Sequence, residues 1–392
     1  MISKRIRSLI TLSSISAALI ASSCSKNNDP GAGKGGRTDT SVTTKPLTYD
    51  YALLSDSLQT ATYNTFISAD RNYFVQNNQG NTTFNYWPQA HVLDMLLDGY
   101  LRTKNGQYSA RMKALLNGIK IKNGGAYANE FYDDMGWLAN ASLRSYVTLN
   151  DADYLAVAQT LYTEIKGGYN NTEGGGIAWQ RSQLYYKNIP STGNATILAA
   201  RFYELNGNQA DLTFAKSLYT WMKSTLVTPV GVVYDGINRN QDGQIDSWEF
   251  TYNQGLFIGS AVELYNCTKD ASYLQDAESV ANNLIADPNL SPNGILKNEG
   301  QGDGGLFKAV AARYLTDLVQ LTALDESDRT KYASFLQRNV QTLYYKGISR
   351  PSLMISPDWT MQPSGSTDLT TQLSGVIMME AAGRLKSASL IQ

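Results

Sequence analysis

About twelve stretches of this chain repeat apolar residues at helical spacing, and the links between them alternate in kind. The stretches lie near residues 50–72, 88–104, 107–121, 130–148, 151–166, 190–206, 208–226, 252–267, 270–285, 304–322, 325–344 and 367–386, and convincing strands are few. After the even-numbered stretches the links are short and polar, as in Asn150-Asp151, Gly207-Asn208 and Lys269-Asp270, each with an Asp or Asn suited to capping the next helix. Before the even-numbered stretches the links are long, rich in glycine and aromatic, at residues 123–129, 167–189, 228–251 and 291–302. Helices that run up and down in pairs collect all links of one kind at one end. The pattern therefore predicts one elaborate end and one plain end. Six such hairpins with a weak period of roughly 50 to 60 residues predict an all-α (α/α)6 toroid, six inner helices ringed by six outer ones. An irregular helical solenoid is the structural alternative. The even helices should form the inner ring, because Thr192-Gly193-Asn194-Ala195, Asn253-Gln254-Gly255 and Asp303-Gly304-Gly305 put small or polar residues where a crowded axis needs them.

The N-terminus reads as an export signal. Lys4, Arg5 and Arg7 precede an apolar run from Leu9 to Ala21 that is too short for a stable membrane span. The run closes on Ser22-Ser23-Cys24, which resembles a bacterial lipoprotein signal, so residues 1–23 should be removed and Cys24 lipidated at the outer membrane, on its periplasmic or cell-surface face. Ordinary cleavage near Ser23 is the alternative. Residues 24–48 hold Gly, Lys, Asn and Thr with almost nothing apolar, as a flexible tether does. Residues 49–392 then form the folded body, and Cys267 has no partner within it, so no internal disulfide supports it.

A formal net charge of -1 with 17% charged residues argues against nucleic acid or any strongly charged polymer as partner. A neutral ligand fits better, and a monomer needs no partner chain. The elaborate end collects Trp87, His91, Asp133, Asp134, Trp179, Asn194, Asp235, Trp248, Tyr252, Asp303 and Asp368, drawn from all six hairpins. Carboxylates and amides pair with sugar hydroxyls while indoles and phenols stack on the C–H faces of the ring. Each residue also has a plainer reading: Trp87 and Trp248 as core, Asn194 and Asp303 as caps, and Asp133 and Asp134 as first-turn acids that complement a helix dipole. The acids stand apart, because they open an apolar helical run directly after a Gly-rich link and glycoside hydrolysis needs two carboxyls with different tasks.

The runs Trp87-Pro88-Gln89-Ala90-His91, Glu130-Phe131-Tyr132-Asp133-Asp134-Met135-Gly136-Trp137, Gly174-Gly175-Gly176-Ile177-Ala178-Trp179, Thr251-Tyr252-Asn253-Gln254-Gly255 and Phe307-Lys308 with Arg313-Tyr314-Leu315 resemble glycoside hydrolase family 76. The resemblance runs in order over residues 50–386. It implies an (α/α)6 barrel, retaining endo-α-1,6-mannanase or related transglycosylating activity on α-1,6-linked mannan or manno-oligosaccharides, Asp133 as nucleophile, Asp134 as acid/base, and no required cofactor. One physical difficulty accompanies those roles, since a helix N-terminus favours the ionised carboxylate and the acid must stay protonated. Desolvation against Tyr132 and Trp137 and repulsion from the ionised partner are the forces available to offset it.

Residues 238–249 have the spacing of an EF-hand-type calcium loop, with Asn238, Asn240, Asp242, Asp246 and Glu249 at positions one, three, five, nine and twelve and Gly243 at six. Asn238 departs from the usual Asp and lowers the charge of the set. The alternative is a polar loop turned by glycine. His91 is the sole histidine, so a histidine-rich zinc site is excluded, and it reads as a hydrogen-bonded wall residue. Two rivals remain open: a non-catalytic glycan-binding lipoprotein, and another (α/α)6 glycosidase such as an unsaturated-glucuronyl hydrolase, which would need a basic pocket that these residues do not supply.

Overall fold

The computed structural model describes residues 49–392, and the expected leader, tether and lipidated Cys24 lie outside the described residues. Twelve helices follow one another: α1 (Tyr51–Phe66), α2 (Tyr86–Thr103), α3 (Gly106–Lys122), α4 (Tyr132–Leu149), α5 (Ala152–Lys166), α6 (Ile189–Asn206), α7 (Gln209–Leu226), α8 (Thr251–Thr268), α9 (Ala271–Ala286), α10 (Gly304–Val319), α11 (Glu326–Thr342) and α12 (Leu369–Ser387). The even helices pack in a closed cycle, α2 on α4, α4 on α6, α6 on α8, α8 on α10, α10 on α12 and α12 back on α2. This is the (α/α)6 toroid that the alternating links predict.

Burial separates the two rings. Helix α2 buries every residue from Tyr86 to Gly99, as an inner helix must when it has neighbours on all sides. Outer helix α9 buries a single stripe, Leu274, Ala277, Val280, Ala281 and Leu284, and turns its polar residues to solvent. Close approach inside the ring needs missing side chains at defined places. A Cβ on Gly255 would meet the Ala311 main chain at 2.7 Å, and one on Gly136 would meet the Asn194 Cβ at 2.6 Å.

The plain end is built from one device used four times. A left-handed residue stops each of α2, α4, α6 and α8 (Lys104, Asn150, Gly207 and Lys269), and the next residue caps the following helix. Asn105, Asp151, Asn208 and Asp270 each accept a backbone N–H two residues ahead at 2.9–3.1 Å. The links are two residues long because stop and start are adjacent. The lower halves of the inner helices carry ion pairs: Arg144 with Asp94 and Asp98, Arg313 with Asp94 at 2.5 Å, Arg201 with Glu263 at 2.6 Å and Arg384 with Asp317 at 2.7 Å.

At the elaborate end the long links fold over one another. Strands β1 (Lys187–Asn188), β2 (Gly236–Ile237) and β3 (Ile245–Asp246) form a small antiparallel sheet in the order β1-β2-β3, which ties the link before α6 to the link before α8.

Candidate active site

Helix α4 begins where its own link meets the next one. The Tyr132 N–H donates to the Trp179 carbonyl at 2.9 Å, which fixes the first turn and points Asp133 and Asp134 into a cleft at the head of the ring. The cleft holds about 300 Å3 and is bounded by Trp87, Trp179, Asp235, Trp248, Tyr252 and Asp303 beside the two acids. The long links thus bring together eight of the residues that the sequence nominated.

The two acids differ in their surroundings. Asp133 Oδ1 accepts the Asp134 backbone N–H at 3.0 Å, whereas Asp134 Oδ2 accepts only the Asn129 side-chain amide, at 3.2 Å. Burial pushes the Asp133 carboxyl up to about 7, against backbone N–H groups that favour its charge and with added repulsion from Asp235 and Asp303. Burial, followed by repulsion from Asp133 and Asp303, lifts the Asp134 carboxyl well above the ordinary carboxylate range. Desolvation therefore outweighs the helix N-terminus at both positions. The amide bonds leave Asp133 the better home for a negative charge, so Asp134 is the one that keeps the proton.

Around the pair, polar struts hold the aromatic walls. The Trp87 indole N–H donates to Asp303 Oδ1 at 2.8 Å, and the Asp303 side chain makes no cap on α10. Asp235 accepts from the Tyr186 hydroxyl at 2.8 Å and from the Tyr252 hydroxyl, the Asn253 amide and the Arg239 guanidinium at 3.1 Å each. Tyr252 stacks flat on Phe307 with ring centres 4.0 Å apart. Trp248 is 50% exposed and supplies an open aromatic face at the rim.

Three nominated residues lie elsewhere. His91 is buried beneath the cleft with its ring 4.7 Å from Trp137 and 5.3 Å from Trp87, and neither ring nitrogen has a partner, so it is not the hydrogen-bonded wall residue expected. It sits one helical turn below Trp87, and burial together with the nearby Arg313 pushes its pKa down to about 3. Asn194 is wholly buried, donates to the Pro190 carbonyl at 2.9 Å and packs on Gly136, which makes it a spacer between α4 and α6. Asp368 accepts the Gly302 N–H at 2.8 Å and ties two links together outside the cleft. Conversely, Arg239, Phe250, Asn188 and Phe131 line the cleft without having been nominated. Arg239 follows Asp235 by four residues in a glycine-rich link, and its guanidinium lies over Tyr186 at 4.2 Å and Trp248 at 4.5 Å.

The loop with calcium-like spacing closes on its own groups. Asn238 Oδ1 accepts the Gly243 N–H at 2.9 Å, Asp242 Oδ1 accepts the Gln244 N–H at 3.0 Å, and Asp246 pairs with Arg239 at 3.3 Å. Among the described residues no three His, Cys, Asp or Glu side chains are placed to hold a metal ion. Of the expected ligands Asn238, Asn240, Asp242, Asp246 and Glu249, three are thus engaged within the link itself, Asn238 and Asp242 by backbone N–H groups and Asp246 by Arg239.

The sequence profile of glycosyl hydrolase family 76 matches residues 55–389. The chain belongs to this family. The GH76A α-1,6-mannanase of Salegentibacter sp. HEL1_6 is 44% identical and superposes with a TM-score of 0.84 over 86% of this chain and all of that one. An inactive variant of the same protein, with two consecutive aspartates replaced by asparagine, has been solved in complex with α-1,6-mannotriose. The Lin0763 protein of Listeria innocua is 35% identical, with a TM-score of 0.82 over 87% of this chain and 99% of that one. A mannan endo-1,6-α-mannosidase DCW1 of Candida glabrata is 26% identical over 305 residues, 69% of this chain and 67% of its own length.

Proposed function

We propose that this family 76 enzyme is an endo-acting α-1,6-mannanase that cleaves the mannan backbone with retention of configuration. The observation that carries the reading is the unequal environment of the adjacent carboxyls, one supported by backbone N–H groups and the other kept protonated by burial and by its partner's charge. The Salegentibacter mannanase, inactive when two consecutive aspartates are replaced, supports the same pair here.

In the first step the Asp133 carboxylate attacks the anomeric carbon and the bond to the glycosidic oxygen breaks. Asp134 gives its proton to that oxygen, so the leaving chain departs as a neutral alcohol. Esterified Asp133 no longer carries charge, which removes a cause of the raised Asp134 pKa. Asp134 can then take a proton from water, whose oxygen attacks the anomeric carbon and releases Asp133. Trp87, Trp179 and Tyr252 offer apolar faces to the sugar rings, and Asp235 and Asp303 face their hydroxyls. Hydrolysis of linear α-1,6-mannan followed by NMR should release the α-anomer first. A β-anomer appearing first means inversion and sinks the double displacement.

We further propose that the chain is exported and anchored through lipidated Cys24, which rests on the charged, apolar and small-residue pattern of its first 24 residues. The Cys24→Ser protein should leave the membrane fraction. Wild-type protein that is exported and fully soluble with an unmodified Cys24 would refute the anchor and leave the enzyme assignment intact.

A further inference from the structure

Beneath the cleft, behind Trp137 and His91, the inner ring encloses a second cavity of about 600 Å3, twice the cleft's volume. It opens at the plain end, where Val147 (66% exposed) and Leu205 (40% exposed) stand at its mouth. The volume lies within the roughly 300–1,000 Å3 usual for small-molecule sites. None of the mannanase chemistry uses it.

The lining has a definite character. Four arginines and four carboxylates face the space, including the ion pairs of Arg144, Arg201, Arg313 and Arg384, so its formal charge cancels. An anion would meet the carboxylates and a cation the guanidinium groups. At the deep end three polar atoms have no hydrogen-bond partner: both ring nitrogens of His91, which is 2% exposed, and Nη2 of Arg313, which is 8% exposed and only faces Asp98 across 3.8 Å. A neutral imidazole offers one donor and one acceptor, and the guanidinium adds a donor. Buried groups of this kind are costly when left unmatched. Trp137 and Tyr314 add aromatic surface beside Leu143 and Val262. A ligand that donates and accepts, carries no charge and has apolar C–H faces meets all of these conditions.

We propose that the plain-end cavity is a second carbohydrate site, which takes a neutral mono- or disaccharide of the size the cleft releases. The identity of the sugar rests on the mannanase reading, and the geometry of the site does not. Calorimetry with α-1,6-mannobiose on the Asp133→Asn/Asp134→Asn protein should show two binding events. Adding Val147→Trp and Leu205→Trp at the mouth should weaken one of them by roughly tenfold or more and leave the other unchanged. A crystal soaked with mannose should then show hydroxyls on His91 and Arg313.

A single event that the mouth substitutions do not touch, with only ordered water in the cavity, overturns the proposal. So does a second event that persists with the mouth blocked, since it must lie elsewhere. If the cleft event is missing while the mouth-sensitive one remains, the cleft reading fails and the second site stands. Because the mouth residues are exposed, their substitution leaves the folded core intact.

Discussion

Two pairs of carboxylates sit on neighbouring inner helices and behave in opposite ways. Asp133 and Asp134 open α4 with no cation against them, and both are driven toward the protonated form. Asp94 and Asp98 lie one turn apart on α2, and Arg144 and Arg313 face both of them. Burial alone would also raise Asp94, but the two guanidinium groups overcome it and hold the carboxyl below its usual range. The counter-ion is therefore what separates the proposed catalytic acids from the structural ones, because burial is common to both. The upper end accepts poorly compensated charge where chemistry needs it, and the lower end neutralises its charges in pairs.

Exchanging the members of this comparison should give the largest effects. Asp133→Asn or Asp134→Asn should each lower turnover on α-1,6-mannan by about 10²–10⁴-fold or more while the protein stays folded. Asp94→Asn should do the reverse, costing about 3–5 kcal/mol of stability by denaturant titration with turnover per folded molecule near wild type. A folded but inactive Asp94→Asn protein would break the division of labour.

A cation brought to the upper pair should sharpen it. Asn129 already touches Asp134, and Asn129→Lys should pull the Asp134 pKa down, moving the alkaline limb of the pH–rate profile to lower pH by about one to two units. Asn129→Ala separates this from simple loss of the amide contact. If the limb stays in place with lysine, Asp134 is not the acid.

Stability against pH should separate the pairs with smaller amplitude. Asp133, raised to about 7, contributes stability that is full below the unfolded carboxyl's value of 3.8 and is lost as pH rises toward about 7. Asp133→Asn should therefore gain on wild type in melting temperature over that interval. Asp94, lowered, contributes stability that is present above its ordinary value and is lost as pH falls. The smallest effect expected is at residues 238–249, where calcium or its chelation should change stability by no more than about 0.5 kcal/mol. A heat of calcium binding that disappears in Glu249→Gln would show instead that the ion draws the loop's acids together.

The toroid was legible because its signals are local. Adjacent stop and cap residues such as Gly207-Asn208 and Lys269-Asp270 announce the plain end, and long aromatic links announce the other. The place of Asp133 and Asp134 at the head of α4 was legible for the same reason. Depth along a helix was not, since His91 follows Trp87 by one turn and belongs to the layer below it. Asn194 looked like a cleft amide, but its direction is set by Gly136 across the helix contact. Arg239 acquires its place only when the β-sheet brings Tyr186 and Trp248 to it. The lower cavity was not legible as a site, because its residues are spread along the inner helices from His91 and Trp137 near their heads to Val147 and Leu205 near their ends, and no local motif joins them.

One contact bears on how the ring could be rewired. The Tyr51 hydroxyl donates to the Gln392 carbonyl at 3.3 Å, and α1 packs along α12, so the last gap in the circle is closed without a covalent link. Such proximity is what circular permutation requires. Joining residue 392 to residue 49 through a short spacer and reopening the chain between Lys269 and Asp270 would place the new ends on the face away from the acids. The order in which the hairpins are synthesised is then separable from the ring they form, and any plain-end link could serve as the beginning of an active enzyme.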